Sequence, residues 1–419
     1  MKKTGRCVLR IAMVGWEFPP FMSGGLGVHC LYLTRALASR GIEIDFYLPQ
    51  NSCSHAHKQM RFIQVYYDVE QRSMHENTER LNPYLGVGVE TSAIENEKTV
   101  ETHWRTPLKK LKKVAAYNIR LAKKIIENHE TREYDLIHAQ GNYVAEGTWL
   151  AGRKTKTPVV WTVHSTIFDQ CGEAKPDERL LSTERFAARN ADKIIAVSKH
   201  TQNTVVRKLG AKKSKVSVVY NAVDAQRFEN KARHENPRHP VVLFHGRIAA
   251  QKGPKYFLLA AKKILEKNKP NKRIRFVMSG KGELRNQMIE FAHELKIKRF
   301  VDFPGFVPNS KLTELYAGAE VFVFPSISEP FGITVLEAMA AGTPTIVSKT
   351  SGVSEVAKNI VTVDYWDVDG IADKITGLIN NPSKRRGLSE RGLAEVKAMT
   401  WDGIAEKTVK VYESVLKHS

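Results

Sequence analysis

Short apolar runs recur along the chain, each closed by a polar or glycine-rich turn and followed by a longer stretch of helical spacing. Val8–Val14, Ile42–Leu48, Asp135–Ile137, Pro158–Val163, Val241–His245, Ile274–Ser279, Val321–Phe324 and Thr345–Val347 read as strands, and Arg185–Ser198 with Val216–Val223 close the first domain. The strands are continuously apolar rather than alternating, as in parallel sheets covered on both faces. His29–Ser39, Pro107–Glu127, Ile333–Ala341 and Trp401–Leu416 read as helices. Gly342 and Pro344 stop the third of these. Strand–helix alternation of this kind predicts an α/β protein of doubly wound parallel sheets.

Two helices carry a legible face. Pro107–Glu127 places Leu108, Leu111, Ala115, Ile119 and Ala122 on one side and a set of lysines elsewhere, which predicts a core-facing helix with a solvated basic side. Membrane docking is the second reading of the same pattern. Trp401–Leu416 places Trp401, Ile404, Ala405, Thr408, Val411, Tyr412 and Val415 together. Residues 51–106 are polar and irregular and read as an insertion. The charged segment Phe228–Pro240 reads as a linker between two sheets.

At 419 residues the chain exceeds one ordinary core, and two or three domains are expected. No apolar run approaches the roughly 18 residues that a membrane span requires. Cys7, Cys30, Cys53 and Cys171 lack metal spacing, which points to reduced thiols and a cytoplasmic location. The net charge of +21 is spread over both halves rather than held in a tail. It suits an anionic nucleotide, an acidic membrane surface or nucleic acid. No zinc-finger or RNA-binding signature supports specific nucleic-acid binding.

The densest chemistry lies in Ser328–Pro344, SEPFGITVLEAMAAGTP. Glu329 falls in the loop beyond a strand's carboxyl end, where open α/β sheets bind ligands. Gly332 precedes a helix whose first amides have no intrahelical partner, a ready site for anions and hydroxyls. Glu337 is the lone charge on that helix; it either faces water or meets a group with donors. Upstream, Arg247 and Lys252 stand on a strand-to-helix loop with Pro254 at the helix's first turn, so two cations and a helix dipole converge as a phosphate site. Near the amino end, Gly24-Gly25-Leu26-Gly27 lies too far past the first strand for a dinucleotide fingerprint, and Asp45 is not read as its ribose ligand. A loop of this length suits backbone contact with a diphosphate reaching in from another domain.

Lys281 and its flanking glycines lack P-loop spacing. Asp367-Val368-Asp369 precedes a helix at Gly370–Ile379, and capping by Asp369 accounts for it better than metal binding. No metal and no cofactor are expected. His138 ends a strand and reads as a satisfied polar cap.

E-P-F-G-I-T-V-L-E-A-M-A-A-G-T-P, with G-R-x-x-x-x-K-G ahead of it and G-G-L-G near the amino end, closely resembles retaining GT-B glycosyltransferases of the group 1, family 4 type, the group that includes glycogen and starch synthases. The resemblance covers nearly the whole chain except 51–106. It implies two Rossmann-like domains facing across a cleft: residues 1–225 on the acceptor side, joined by the terminal helix 401–419, and residues 226–400 for the nucleotide sugar. It implies transfer of a sugar, with glucose the best guess, from a nucleotide diphosphate sugar to a carbohydrate hydroxyl with retained configuration. His164, Arg247, Lys252 and Glu329 take catalytic roles by this resemblance. Gly24, Gly25, Phe331, Gly332, Ile333, Thr334 and Glu337 bind the donor, Glu337 at the ribose. T-V-H-S resembles the family's histidine at the transferred sugar, and Phe303–Val307 its contact region for the base. Bacterial glycogen synthases usually place lysine two positions before the glycine pair, where this chain has Met22, and Ala222 replaces the usual glycine of the N-G-V-D-like turn Asn221–Asp224. A lipid or small-molecule glycosyltransferase peripheral to an anionic membrane is the runner-up, together with a sugar-nucleotide epimerase of similar fold. A glycosidase would have no need of Arg247 and Lys252.

Overall fold

The computed structural model describes residues 8–20, 24–49, 58–66, 88–91, 102–105, 108–228, 239–267 and 274–417. Met22 and the linker residues 229–238 lie outside the described residues. The chain divides into two compact units. The first draws on Met1–Phe168, Ala174–Asn221 and Trp401–Ser419, and the second on Asp169–Glu173 and Ala222–Thr400.

In the first unit, strands β1 (Arg10–Val14), β2 (Glu43–Leu48) and β3 (Met60–Gln64) are followed by a small antiparallel hairpin, β4 (Gly88–Thr91) and β5 (Thr102–Arg105). Then come β6 (Leu136–Gln140), β7 (Val159–Val163), β8 (Lys193–Ala196) and β9 (Val216–Val218). The main sheet is seven-stranded in the order β3-β2-β1-β6-β7-β8-β9, and every described pairing in it is parallel. β3 lies within the stretch read as an irregular insertion, so that reading is corrected there. β1 begins at Arg10 rather than Val8, which is 41% exposed. Arg10 closes the strand's edge by pairing with Glu43 at 2.6 Å and donating its backbone N–H to Asp135 at 2.8 Å.

The lysine-rich helix runs from Leu108 to Arg132 and buries a different face from the expected one. Tyr117, Asn118, Leu121, Ala122 and Ile125 are buried, while Ile119 is 66% exposed. A polar residue sets this rotation. Asn118 Nδ2 donates to Tyr143 O at 2.8 Å, and Asn118 Oδ1 accepts from Gly147 N at 2.7 Å. An added Cβ on Gly147 would stand 2.6 Å from Asn118 O, so helix Ala145–Thr155 docks there with no room to slip. Helix Trp401–Leu416 buries every residue expected on its face. Asp45 is 1% exposed and fully engaged by Arg61, Arg132 and the hydroxyl of Tyr134, a structural ion cluster rather than a ribose ligand.

The second unit holds β10 (Val241–His245), β11 (Arg275–Ser279), β12 (Val301–Gly305), β13 (Val321–Phe324), β14 (Thr345–Ser348) and β15 (Val361–Val363). Their order is β12-β11-β10-β13-β14-β15, again all parallel. Counted from β10 this is 3-2-1-4-5-6, the Rossmann order, with the topological switch between β10 and β13. Helix Val368–Ile379 starts two residues earlier than expected, so its cap is Asp367, whose Oδ1 accepts from Gly370 N at 2.8 Å. Asp369 sits in the first turn and pairs with Lys263 at 2.9 Å instead. Two Rossmann-like α/β units, as the resemblance implied, make up the described chain.

Candidate functional site

In the second unit, the loops leaving β10 and β13 start from neighbouring strands at the switch point. The first carries Arg247 and Lys252, and the second carries Glu329. Gly253, with φ +63°, tightens the turn after Lys252; an added Cβ would fall 2.0 Å from Pro325 O. That close approach locks the two loops together. Gln251 reinforces the lock, since its main-chain O accepts from Ile327 N at 2.9 Å while its side-chain Oε1 accepts from Arg247 Nη2 at 3.1 Å. Gln251 is 3% exposed, so Arg247 is held there by a buried neutral amide, and the Glu283 carboxyl stands near enough to feel its charge.

Lys252 Nζ is ion-paired with Glu329 Oε2. Glu329, 7% exposed, is anchored through its backbone as well: its O accepts from Gly352 N at 2.8 Å. Phe331 is buried, and its O accepts from Val353 N at 2.7 Å. Gly332 then turns at φ +108°, a left-handed conformation that a side chain would resist, and starts helix Ile333–Ala340. Ile333 and Thr334 occupy the helix's first turn, where backbone amides have no intrahelical acceptor. No side chain caps this end, and no acidic residue stands in its first turn.

Glu337 lies one turn further along and is 6% exposed, which rules out a solvated helix edge. Tyr316 donates its hydroxyl to Glu337 Oε2 at 3.0 Å. Burial pushes the Glu337 carboxyl above its ordinary range, and the charge of Arg227 and the Tyr316 bond pull it back. Glu329 and Glu337 thus share one design. In each, one oxygen is held by the protein, and the other has no hydrogen-bond partner among the described residues.

In the first unit, helix Gly25–Ser39 begins inside the glycine loop rather than at His29. Gly24 has an extended backbone, and an added Cβ would meet no described atom within 4 Å. Neither conformation nor packing therefore requires glycine there. Gly25 opens the helix, which has no side-chain cap and no acid in its first turn. His164 follows β7 directly, and its Nε2 contacts Gln140 Oε1 at 2.8 Å. Because that oxygen only accepts, Nε2 carries the proton and Nδ1 is the bare nitrogen. Burial, then the nearby His29 and His138, push His164 well below its ordinary pKa, so the ring is neutral.

His29 stacks edge-on to His164 with ring centroids 4.4 Å apart, and its Nδ1 meets Asn221 Oδ1 at 2.8 Å. Its Nε2 is buried without a partner among the described residues. His138 is not a cap at a strand's end. It lies inside β6, 0% exposed, with Tyr412 and Thr162 hydroxyls each 2.7 Å from a ring nitrogen.

The structure therefore brings Arg247, Lys252, Glu329, Phe331, Gly332, Ile333, Thr334 and Glu337 to one end of the second sheet. Gly24, Gly25 and His164 lie beyond strand ends of the first. Sequence reasoning missed Gln251, Tyr316, Gln140 and His29. Gln251 had one signal, its place beside Lys252 on the cationic loop; the other three had none. Among the described residues no cluster of His, Cys, Asp or Glu is arranged to hold a metal ion.

Comparison with known proteins bears on the family and the fold. The family model for glycosyl transferases group 1 matches residues 226–394, and that for glycosyltransferase family 4 matches residues 23–227. An uncharacterized glycosyltransferase of Methanocaldococcus jannaschii is 29% identical over 98% of this chain and 99% of its own. A glycogen synthase of Mycobacterium tuberculosis is 25% identical over 96% of this chain and 94% of its own. The solved sucrose-phosphate synthase of Thermosynechococcus elongatus superposes with a TM-score of 0.78, at 21% identity, over 98% of this chain and 100% of that one. With both Rossmann-like units matched and the cationic loop and paired glutamates in the second, the chain belongs to the group 1 glycosyltransferases, of GT-B type.

Proposed function

We propose that this glycosyltransferase moves glucose from a nucleotide diphosphate sugar to a hydroxyl of a glucan, with configuration retained and without a metal ion. The observation that carries the reading is the convergence, at the β10–β13 switch point, of Arg247, Lys252, the uncapped helix start at Ile333 and Thr334, and two carboxylates each with one oxygen open. Cations and amides in fixed positions stabilise charge that gathers on a leaving diphosphate. The open oxygen of Glu329 suits a sugar hydroxyl, and that of Glu337 suits the ribose. Phe331 and Gly332 bring backbone to the sugar. In the first unit, Gly24 and Gly25 are assigned to the diphosphate and His164 to the transferred sugar. In the reaction, the bond from the anomeric carbon to phosphate oxygen breaks as the acceptor oxygen bonds to the same face. The acceptor proton passes to the departing phosphate.

The whole-chain likeness to a glycogen synthase supports the glucan acceptor. The test is a screen of ADP-, UDP- and GDP-sugars by thermal shift, followed by incubation of the best donor with glucan primers. A ligand at 100 times its dissociation constant adds about 2.7 kcal/mol of stability. Product with the donor's anomeric configuration is expected; turnover of the donor sugar with no acceptor present would favour an epimerase instead.

A second reading, a peripheral lipid glycosyltransferase, draws on Ile119, 66% exposed on a helix that also exposes Lys112 and Lys123. No described helix is long and apolar enough to cross a membrane. Sedimentation with anionic vesicles separates the two readings, since a glucan enzyme should stay in the supernatant.

A further inference from the structure

The contact between Tyr316 and Glu337 joins helices Asn309–Ala317 and Ile333–Ala340, and no sequence pattern foreshadows it. Tyr316 is 0% exposed and boxed by rings. Phe228, Phe322 and His245 stand edge-on at centroid distances of 6.0, 5.7 and 5.5 Å. Its backbone is tied too, because Thr343 Oγ1 donates to Tyr316 O at 2.6 Å. A side chain held this way delivers its hydroxyl to one place only, and that place is Glu337 Oε2, 3.0 Å away. Glu337 Oε1 is left with no hydrogen-bond partner among the described residues.

We propose that Tyr316 is a positioning residue for the donor nucleotide: by holding one oxygen of Glu337 it favours the charged carboxylate over the protonated one and presents the other oxygen as an acceptor for the ribose hydroxyls. The proposal rests on the reading that Glu337 meets the ribose. A nearly buried carboxylate is ionised only if donors or cations offset the loss of water. Two groups oppose that loss in part here, Arg227 from the short turn Ala225–Phe228 and Tyr316, while burial still holds the carboxyl above its ordinary range. β13 (VFVF) and β14 (TIVS) bring the helix no charged side chain, and helix Pro382–Lys397 touches its far end through Gly392 beside Met339 and Ser389 on Gly342 O. The short turn Gly352–Glu355 carries one further charge, Glu355, and packs at the helix's amino end through Val353 beside Gly332, while the groups that act on the Glu337 carboxyl are Arg227 and Tyr316. Arg227 is itself committed, donating to Asn309 O at 2.9 Å. The Tyr316 hydroxyl is therefore the one direct donor to the Glu337 carboxylate among the described residues.

The test uses the full chain with ADP and UDP, their 2′,3′-dideoxy counterparts, and the variants Tyr316→Phe and Glu337→Gln. Tyr316→Phe keeps the boxed ring and removes only the hydroxyl. It should weaken binding of the better of the two nucleotides about ten- to hundred-fold, the loss of one hydrogen bond to a charged group. It should also move the pH dependence of affinity upward, so that binding fades at a higher pH as Glu337 gains a proton. The dideoxy nucleotide, lacking the hydroxyls that Glu337 accepts, should bind both proteins alike. Wild-type affinity and pH profile in Tyr316→Phe, while Glu337→Gln loses affinity, would overturn the role of Tyr316 and leave the ribose reading standing. Unchanged affinity in Glu337→Gln would overturn the ribose reading and the proposal with it. A lower melting temperature in Tyr316→Phe with an unmoved pH profile would mark the hydroxyl as structural only and count against the proposal.

Discussion

Lys252 and Glu329, 77 residues apart in sequence, form one ion pair at the end of the second sheet. The pair is largely buried, with 16% of the Lys252 side chain and 9% of the Glu329 side chain exposed. Sequence reasoning gave the two separate tasks, one for phosphate and one for sugar. Their contact makes each the counter-charge of the other.

An asymmetry in stability follows. Lys252→Met leaves a nearly buried carboxylate without its cation, whereas Glu329→Gln leaves a lysine that can reach water along its flexible stem. The first should cost about 3 kcal/mol and the second well under half of that. The double variant should recover part of the loss, because the two residues act on one another. Urea unfolding of the three variants measures this; additive losses would show that the pair contributes nothing as a pair.

His164→Ala should lower turnover by far more than it weakens donor binding. The ring is neutral, with Nε2 committed to Gln140 and Nδ1 bare, so it can accept a hydrogen bond from a hydroxyl. His164 lies past the end of β7 and is only half-buried, so the melting temperature should change little. Steady-state kinetics against the best donor and acceptor decides it, and unchanged turnover would remove His164 from the reaction.

Much of this was readable in advance because it is local. Parallel strands announce themselves as short apolar runs, and the buried face of Trp401–Leu416 follows from its own spacing. Glu329, the cations and the glycines of the second unit sit in loops whose ends are fixed by those strands, and Glu337 sits on the helix that follows. What escaped is non-local. The rotation of helix Leu108–Arg132 is set by Asn118 reaching Tyr143 and Gly147, residues that its own pattern cannot see. Counting Leu and Ile gave Ile119 a core position that a polar anchor denies it. Tyr316 and Gln140 were invisible for the same reason, since each acts on a residue more than twenty positions away. The cap moved from Asp369 to Asp367 because a helix boundary is uncertain by a residue or two from sequence.

Acid should unfold the protein steeply, and His138 should be part of the cause. Burial, then the nearby His29, hold its pKa down at about 3 from an ordinary 6.5. A depressed histidine favours the fold above its unfolded pKa, and that contribution is lost as pH falls toward the folded value. Between about pH 6.5 and 4 the unfolded chain therefore binds one more proton at this residue than the folded one. The slope is about 1.4 kcal/mol per pH unit. His138→Gln should show a shallower fall of unfolding free energy over that window by about this amount, whatever its stability at pH 7. Parallel curves for wild type and variant would show that His138 does not titrate on unfolding.

Removing divalent cations should leave activity intact. A departing diphosphate carries two or more negative charges, which metal-dependent enzymes offset with a bound ion. Here Arg247 and Lys252 stand on one loop, and the amides of Ile333 and Thr334 open a helix with no acid in its first turn. Gln251 fixes Arg247 through a neutral amide, and Gly253 fixes the loop itself against Pro325. Groups held this firmly do not reorganise as charge develops, which is the condition under which they stabilise a transition state most. Arg247→Ala should lower the rate by about a hundred- to thousand-fold, or about 2.7–4 kcal/mol. Lys252→Ala should do the same, with the double variant falling short of the sum because both act on one diphosphate. Gln251→Ala should give a smaller loss that lysine in place of Arg247 does not compound. The assay is turnover after exhaustive chelation, then with magnesium or manganese restored. Activity that vanishes with the chelator and returns with the metal would show that the fixed cations do not carry the leaving group, and would return attention to Asp367 and Asp369.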